Sequence, residues 1–127
     1  MPNLVTLVDQ NGVPLSSASA SPPQIVLTGR SAQPYGADLL DASGSITTAN
    51  TAQQVLAADS SRVYVILWNL SNTDTLWYSW VGTAAANTAG SFPLSPLSAY
   101  ESGVVIPTNA LSIVGPTAGD VFTCNYI

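Results

Sequence analysis

The chain reads as an all-β protein, a small antiparallel β-sandwich or barrel with an extended N-terminal arm. Three observations predict this. From residue 51 onward, short runs rich in β-branched and aromatic residues recur about every 8 to 14 residues, separated by Gly, Pro, Asn and Ser clusters. No segment carries a convincing helical period, although Thr48 to Ala58 has room for one or two turns. Five of the nine prolines fall within the first 50 residues, so that part reads as extended chain, not as a packed layer.

Residues 1–50 form the predicted arm. Leu4-Val5-Thr6-Leu7-Val8 is a short strand, and Asp9-Gln10-Asn11-Gly12 after it supplies residues that tolerate positive φ. Ser16 to Pro23 is a linker of small residues and proline with nothing to bury. A second short strand, Gln24 to Thr28, ends at Gly29. Two short strands joined by such a linker make no core of their own, so the arm is expected to gain order by adding to something else.

Residues 51–127 form the predicted sandwich. Its strands are Gln53 to Leu56, Arg62 to Asn69, Thr75 to Val81, Ser98 to Glu101, Gly103 to Ile106, Ala110 to Val114 and Asp120 to Ile127. Ser71-Asn72-Thr73-Asp74 is read as a hairpin loop joining the second and third of these. Side chains alternate across a strand. Val63, Val65 and Leu67 therefore oppose Tyr64, Ile66 and Trp68, while Leu76, Tyr78 and Trp80 oppose Trp77, Ser79 and Val81. Both faces of both strands are largely apolar, whereas a sheet with one face in water would carry a polar face. Something must cover the second face: the arm, or a neighbouring copy. A small core with no disulfide or metal to staple it favours association. The interface candidates are Tyr64, Ile66, Trp68, Trp77, Tyr78 and Trp80 in the sandwich, and Leu4, Leu7, Ile25 and Leu27 in the arm.

Ionisable chemistry is sparse. There is no His and no Lys; Arg30 and Arg62 are the cations, and six Asp and Glu101 bring the net charge to −5. Nucleic acid and acidic membranes both require clustered cations, so neither is expected as a partner. No apolar run approaches a membrane span, and the start of the chain lacks the pattern of an export signal, so the protein is expected to be soluble and made without export. Charged residues are 7% of the chain against about a quarter in ordinary domains, which points to a surface that is partly covered in use.

Without His or Lys, the usual general base, metal ligand and Schiff-base nucleophile are missing, and no enzyme activity, cofactor or metal is expected. Asp38 and Asp41 are close in sequence but sit in a polar segment, where solvated loop residues are the simpler account. Cys124 has no partner for a disulfide and reads as a small buried residue in the last strand. Asn69-Leu70-Ser71 fits a glycosylation acceptor but reads here as a strand end and turn. The clustered aromatic rings also suit a sugar-stacking platform. Packing is the simpler account, because they alternate with Val, Ile and Leu.

The order of motifs in residues 51–127 resembles small β-domains of tailed-bacteriophage virion proteins. An Arg-led strand, Ser61 to Ser71, precedes Val81-Gly82-Thr83-Ala84-Ala85, then Pro93-Leu94, Tyr100-Glu101 and the closing Pro107-Thr108-Asn109-Ala110-Leu111. Val5 to Pro14 likewise resembles the extended start of phage structural proteins. The resemblance implies a capsid decoration (cement) protein in the virion, assembled in the host cytoplasm. Such a protein self-associates, clamps the major capsid protein or other virion proteins, and has no enzyme activity. A head-fibre or tail-associated protein is the alternative within this class, and a carbohydrate-binding β-sandwich is the alternative outside it.

Overall fold

A computed structural model describes residues 37–127. The interface candidates Leu4, Leu7, Ile25 and Leu27, the two arm strands and the linker lie outside the described residues. The described chain is an all-antiparallel β-sandwich of two sheets, and no barrel closes.

In the first sheet, β1 (Leu40–Asp41) and β2 (Gly44–Ser45) both pair with β9 (Val121–Tyr126), which pairs with β4 (Val65–Asn69), which pairs with the edge strand β7 (Ala99–Glu101). The second sheet runs β3 (Gln53–Leu56), β8 (Leu111–Val114), β5 (Leu76–Ser79), β6 (Phe92–Leu94). The inner faces follow from alternation. Val65 and Leu67 of β4 meet Phe122 and Cys124 of β9 on one side, and Leu76 and Tyr78 of β5 meet Leu111 and Ile113 of β8 on the other. Cys124 is fully buried in the last strand, and burial pushes its thiol up to about 11, so it packs as an apolar residue.

Several sequence expectations give way here. The strands at 62–69 and 75–81 are not a hairpin: β4 lies in the first sheet and β5 in the second, so residues 70–75 turn the corner between layers. Asn69 makes that corner. Its side chain is fully buried, with Nδ2 donating to the carbonyls of Asp74 (2.8 Å), Leu94 (2.9 Å) and Ser95 (3.2 Å), while Oδ1 accepts from Ser71 N (2.9 Å). These bonds satisfy backbone groups that a tight turn would otherwise leave unpaired in the interior. Gly103 to Ile106 forms no strand despite its β-branched residues, because β7 ends at Glu101 and no strand among the described residues offers it an edge. Residues 48–58 hold turns and β3, with no helix.

The sandwich also begins earlier than residue 51. β1 and β2 pair with β9, and Ile46 is buried among the core side chains. Ile46 and Leu76 close directly over Gly115, where a Cβ would sit 2.8 Å from Ile46 Cγ1 and 2.6 Å from Leu76 Cδ2. β6 was hidden by Pro93, which an edge strand tolerates because it loses no ladder donor to a second neighbour.

Candidate functional site: an uncovered sheet face

The two outer faces have different fates. Over the second sheet, the small-residue loop 82–90 folds back onto its own strands. Ser79 Oγ donates to the Gly90 carbonyl (2.8 Å), Ala84 N donates to Ser112 Oγ (3.0 Å) and Ala85 N to Ser91 Oγ (3.0 Å), leaving Ala84 buried. Small side chains permit this close approach. Trp77 stays half-buried beside an apolar hollow of about 220 Å³ that it shares with Val114 and Pro116.

The outer face of the first sheet has no such cover among the described residues. Its central strand presents Ile66 and Trp68 outward, with Trp68 43% exposed. Trp68 stands between Ala99 of β7 and Thr123 of β9, and Ile66 stands between Glu101 and Asn125. Small and polar neighbours thus leave the aromatic ring standing proud. Leu70 and Val121, joined by a backbone bond at 3.0 Å, extend the apolar stripe past the strand end, and both are exposed.

The rim of this face is acidic. Tyr64 continues the central column and donates its hydroxyl to Glu101 Oε1 (3.0 Å). Burial first, and the hydrogen bond and charge of Glu101 second, push the Tyr64 phenol up. At the opposite edge, Asn125 Nδ2 donates to Asp41 Oδ1 (3.2 Å), and hydrogen bonds from Ser43 hold the Asp41 carboxyl below its ordinary value. The described part of the chain has one cation, Arg62, and it is buried. Its guanidinium donates to the carbonyls of Pro107 (2.7 Å), Asn109 (3.0 Å) and Ala57 (2.6 Å), and lies 5.6 Å from the centre of the Trp80 ring. The face therefore has an apolar centre, polar flanks and negative edges.

The chain matches no known family model, no curated protein and no solved structure. Its functional reading rests on the surface itself.

Of the six sandwich residues predicted to form an interface, Ile66 and Trp68 share this face, with Tyr64 at its end, while Trp77 lies on the opposite sheet. Tyr78 and Trp80 belong to the interior, 7% and 9% exposed. Their rings pack on Tyr100 at 5.3 and 6.0 Å between centroids, and Tyr78 also meets Phe92 at 5.6 Å. Two surface features went unread in the sequence. Leu70 and Val121 are distant in the chain and become neighbours only through pairing of the strands. Val104 and Val105, 90% and 80% exposed, have the β-branched composition of a strand, yet the segment forms none. Among the described residues, no group of three or more His, Cys, Asp or Glu converges as a metal site would require.

Proposed function

We propose that this chain is a structural protein of a phage particle, of the capsid decoration type, and that it assembles through the outer face of the β7–β4–β9 sheet. The observation that carries this reading is the exposed Trp68 beside the half-buried Ile66 on the central strand of a sheet face that no described residue covers. A large ring at the centre of an apolar face, ringed by small and polar residues, is the form that interaction hot spots take.

Low charge supports the reading, since a surface with few charges stays soluble best when much of it is occupied. The motif order of residues 51–127 adds the virion context. In this account copies of the chain meet one another across the Trp68 face, and residues 1–36 engage the major capsid protein or another virion protein. Neither nucleic acid nor membrane takes part, and no catalytic step or cofactor is assigned. The test is biochemical: purified virions of the phage that encodes the chain should contain it at a fixed copy ratio to the major capsid protein. Its absence from virions would reject the reading.

A further inference from the structure

At one end of the second sheet a cleft of about 470 Å³ opens between β3, the start of β8 and the Trp80–Thr83 segment that leaves β5. This volume falls within the ~300 to 1,000 Å³ of ordinary small-ligand sites. The cleft is separate from the Trp68 face, which belongs to the other sheet. Its lining holds no ionisable side chain. Gln54, Thr83 and Asn109 contribute amide and hydroxyl groups, and their side chains have no hydrogen-bond partner among the described residues.

The walls are held in place by bonds that leave those groups available. Arg62, itself buried, fixes one wall through the Pro107 and Asn109 carbonyls, so Asn109 is anchored by its backbone while its side-chain amide is unused. Ser112 Oγ ties the opposite wall to Ala84 N. Gln53, also on the lining, is fully engaged by Ser45 O and by Thr47. The register of β3 against β8 shifts between Gln54 and Leu56, an irregularity that re-aims side chains on an edge strand.

A second observation points to a missing acceptor. Trp80 lines the cleft and is more than nine-tenths buried, yet its Nε1 has no hydrogen-bond partner, and neither does the neighbouring Arg62 Nε. Buried donors without acceptors are costly and rare in folded proteins, so each calls for an explanation. Trp80 is on the lining of the cleft and Arg62 lies directly behind it, while Gln54, Thr83 and Asn109 are exposed at the mouth and open to an incoming ligand.

We propose that this cleft binds an uncharged saccharide. Amides and hydroxyls each donate and accept, as sugar hydroxyls do, so Gln54, Thr83 and Asn109 match a polyhydroxylated ring in both directions. Val81 and the Trp80 edge supply apolar surface for its C–H face. The Trp80 N–H is closed off in the unliganded chain, so a sugar oxygen, or a water that the sugar holds in place, becomes its acceptor only as the indole edge turns toward the cleft. With no cation on the lining, sulfated, sialylated and phosphorylated ligands find no counter-charge.

The test uses the purified full chain on a glycan array holding neutral oligosaccharides of glucose, galactose, mannose and N-acetylglucosamine beside sulfated and sialylated ones, followed by titration of the neutral binders. Neutral glycans are expected to bind. Gln54→Ala and Asn109→Ala should each weaken binding about tenfold, as loss of one ligand hydrogen bond does. Trp80→Phe should weaken it too, and Val104→Ala, an exposed position outside both the cleft and the Trp68 face, should leave it unchanged. The proposal is overturned if no neutral glycan binds at millimolar concentration or if charged glycans are preferred. It is equally overturned if binding survives both cleft substitutions or is lost with Val104→Ala alone. None of these outcomes decides whether the protein is found in virions, so this inference and the assembly reading fail separately.

Discussion

Asn69, the last residue of β4, donates through Nδ2 to the carbonyl of Leu94, the last residue of β6, at 2.9 Å, and this bond ties one sheet of the sandwich to the other. The same amide bonds Asp74 and Ser95, so one side chain closes the corner through which the chain changes layers. Asn69→Ala should leave those carbonyls and the Ser71 N–H without partners in the interior. The expected loss is about 3 kcal/mol of stability, read as a lower urea midpoint with an unchanged slope.

Gly115 is the second fixed point. Alanine there would push its Cβ into Ile46 and Leu76, both fully buried and without room to retreat. Gly115→Ala should cost roughly 1 to 3 kcal/mol by overpacking. Coupling Gly115→Ala with Ile46→Val, which removes the Cδ1 methyl 3.3 Å from the added Cβ but leaves Cγ1 in place, should recover only a small part of the loss in the same denaturation measurement.

The chain's alternating strands were legible because β4, β5, β8 and β9 carry strong period-two patterns that the interior then uses. The connections were less legible. Ser71-Asn72-Thr73-Asp74 has the composition of a hairpin loop and also that of a corner between sheets; what separates them is Asn69, whose three carbonyl acceptors come together only in the folded chain. β1 and β2 are short and polar, and they are strands only because β9 offers an edge. For the site, Trp68 and Trp80 look alike in sequence, as rings in apolar strands. Trp68 is outside because it is out of phase with the buried Val65 and Leu67, and its small neighbours Ala99 and Thr123 leave its ring uncovered; Trp80 is in phase with the buried Leu76 and Tyr78 and packs on Arg62 and Tyr100. The cover over Ser79 and Ser112 is a loop of alanines and glycines, a composition that says nothing about where it will lie.

Asp120 links stability to pH. Burial first, and the nearby charge of Asp74 after it, raise its carboxyl above the ordinary value of 3.8 against the opposing hydrogen bond from Ser71. The native state then holds this proton more tightly than the unfolded chain. The group's contribution is fully favourable below the unfolded value and is lost as pH rises through the raised native value. Asp120→Asn should therefore melt at a higher temperature than the wild type at pH 7, with the gap closing below pH 3.8.

The boundary of the folded unit can be tested by two truncations. A chain beginning at residue 37 keeps β1, β2 and Ile46 and should fold with a cooperative melt. A chain beginning at Thr51 loses all three, exposing one edge of β9 and emptying the Ile46 position. It should lose at least ~3 kcal/mol, within the range for truncating a buried Ile, and circular dichroism melts of the two should differ accordingly.

Assembly through the Trp68 face is tested most directly by sedimentation velocity of the full chain at micromolar concentration, beside Trp68→Glu and Val104→Glu. Both substituted side chains are exposed, so neither change should alter the fold by circular dichroism. The wild type and Val104→Glu should sediment as the same oligomer, and Trp68→Glu, which sets a charge at the centre of the apolar stripe, should sediment as a folded monomer. A wild type that is itself a stable monomer, or a Trp68→Glu variant that sediments like the wild type, would contradict the account.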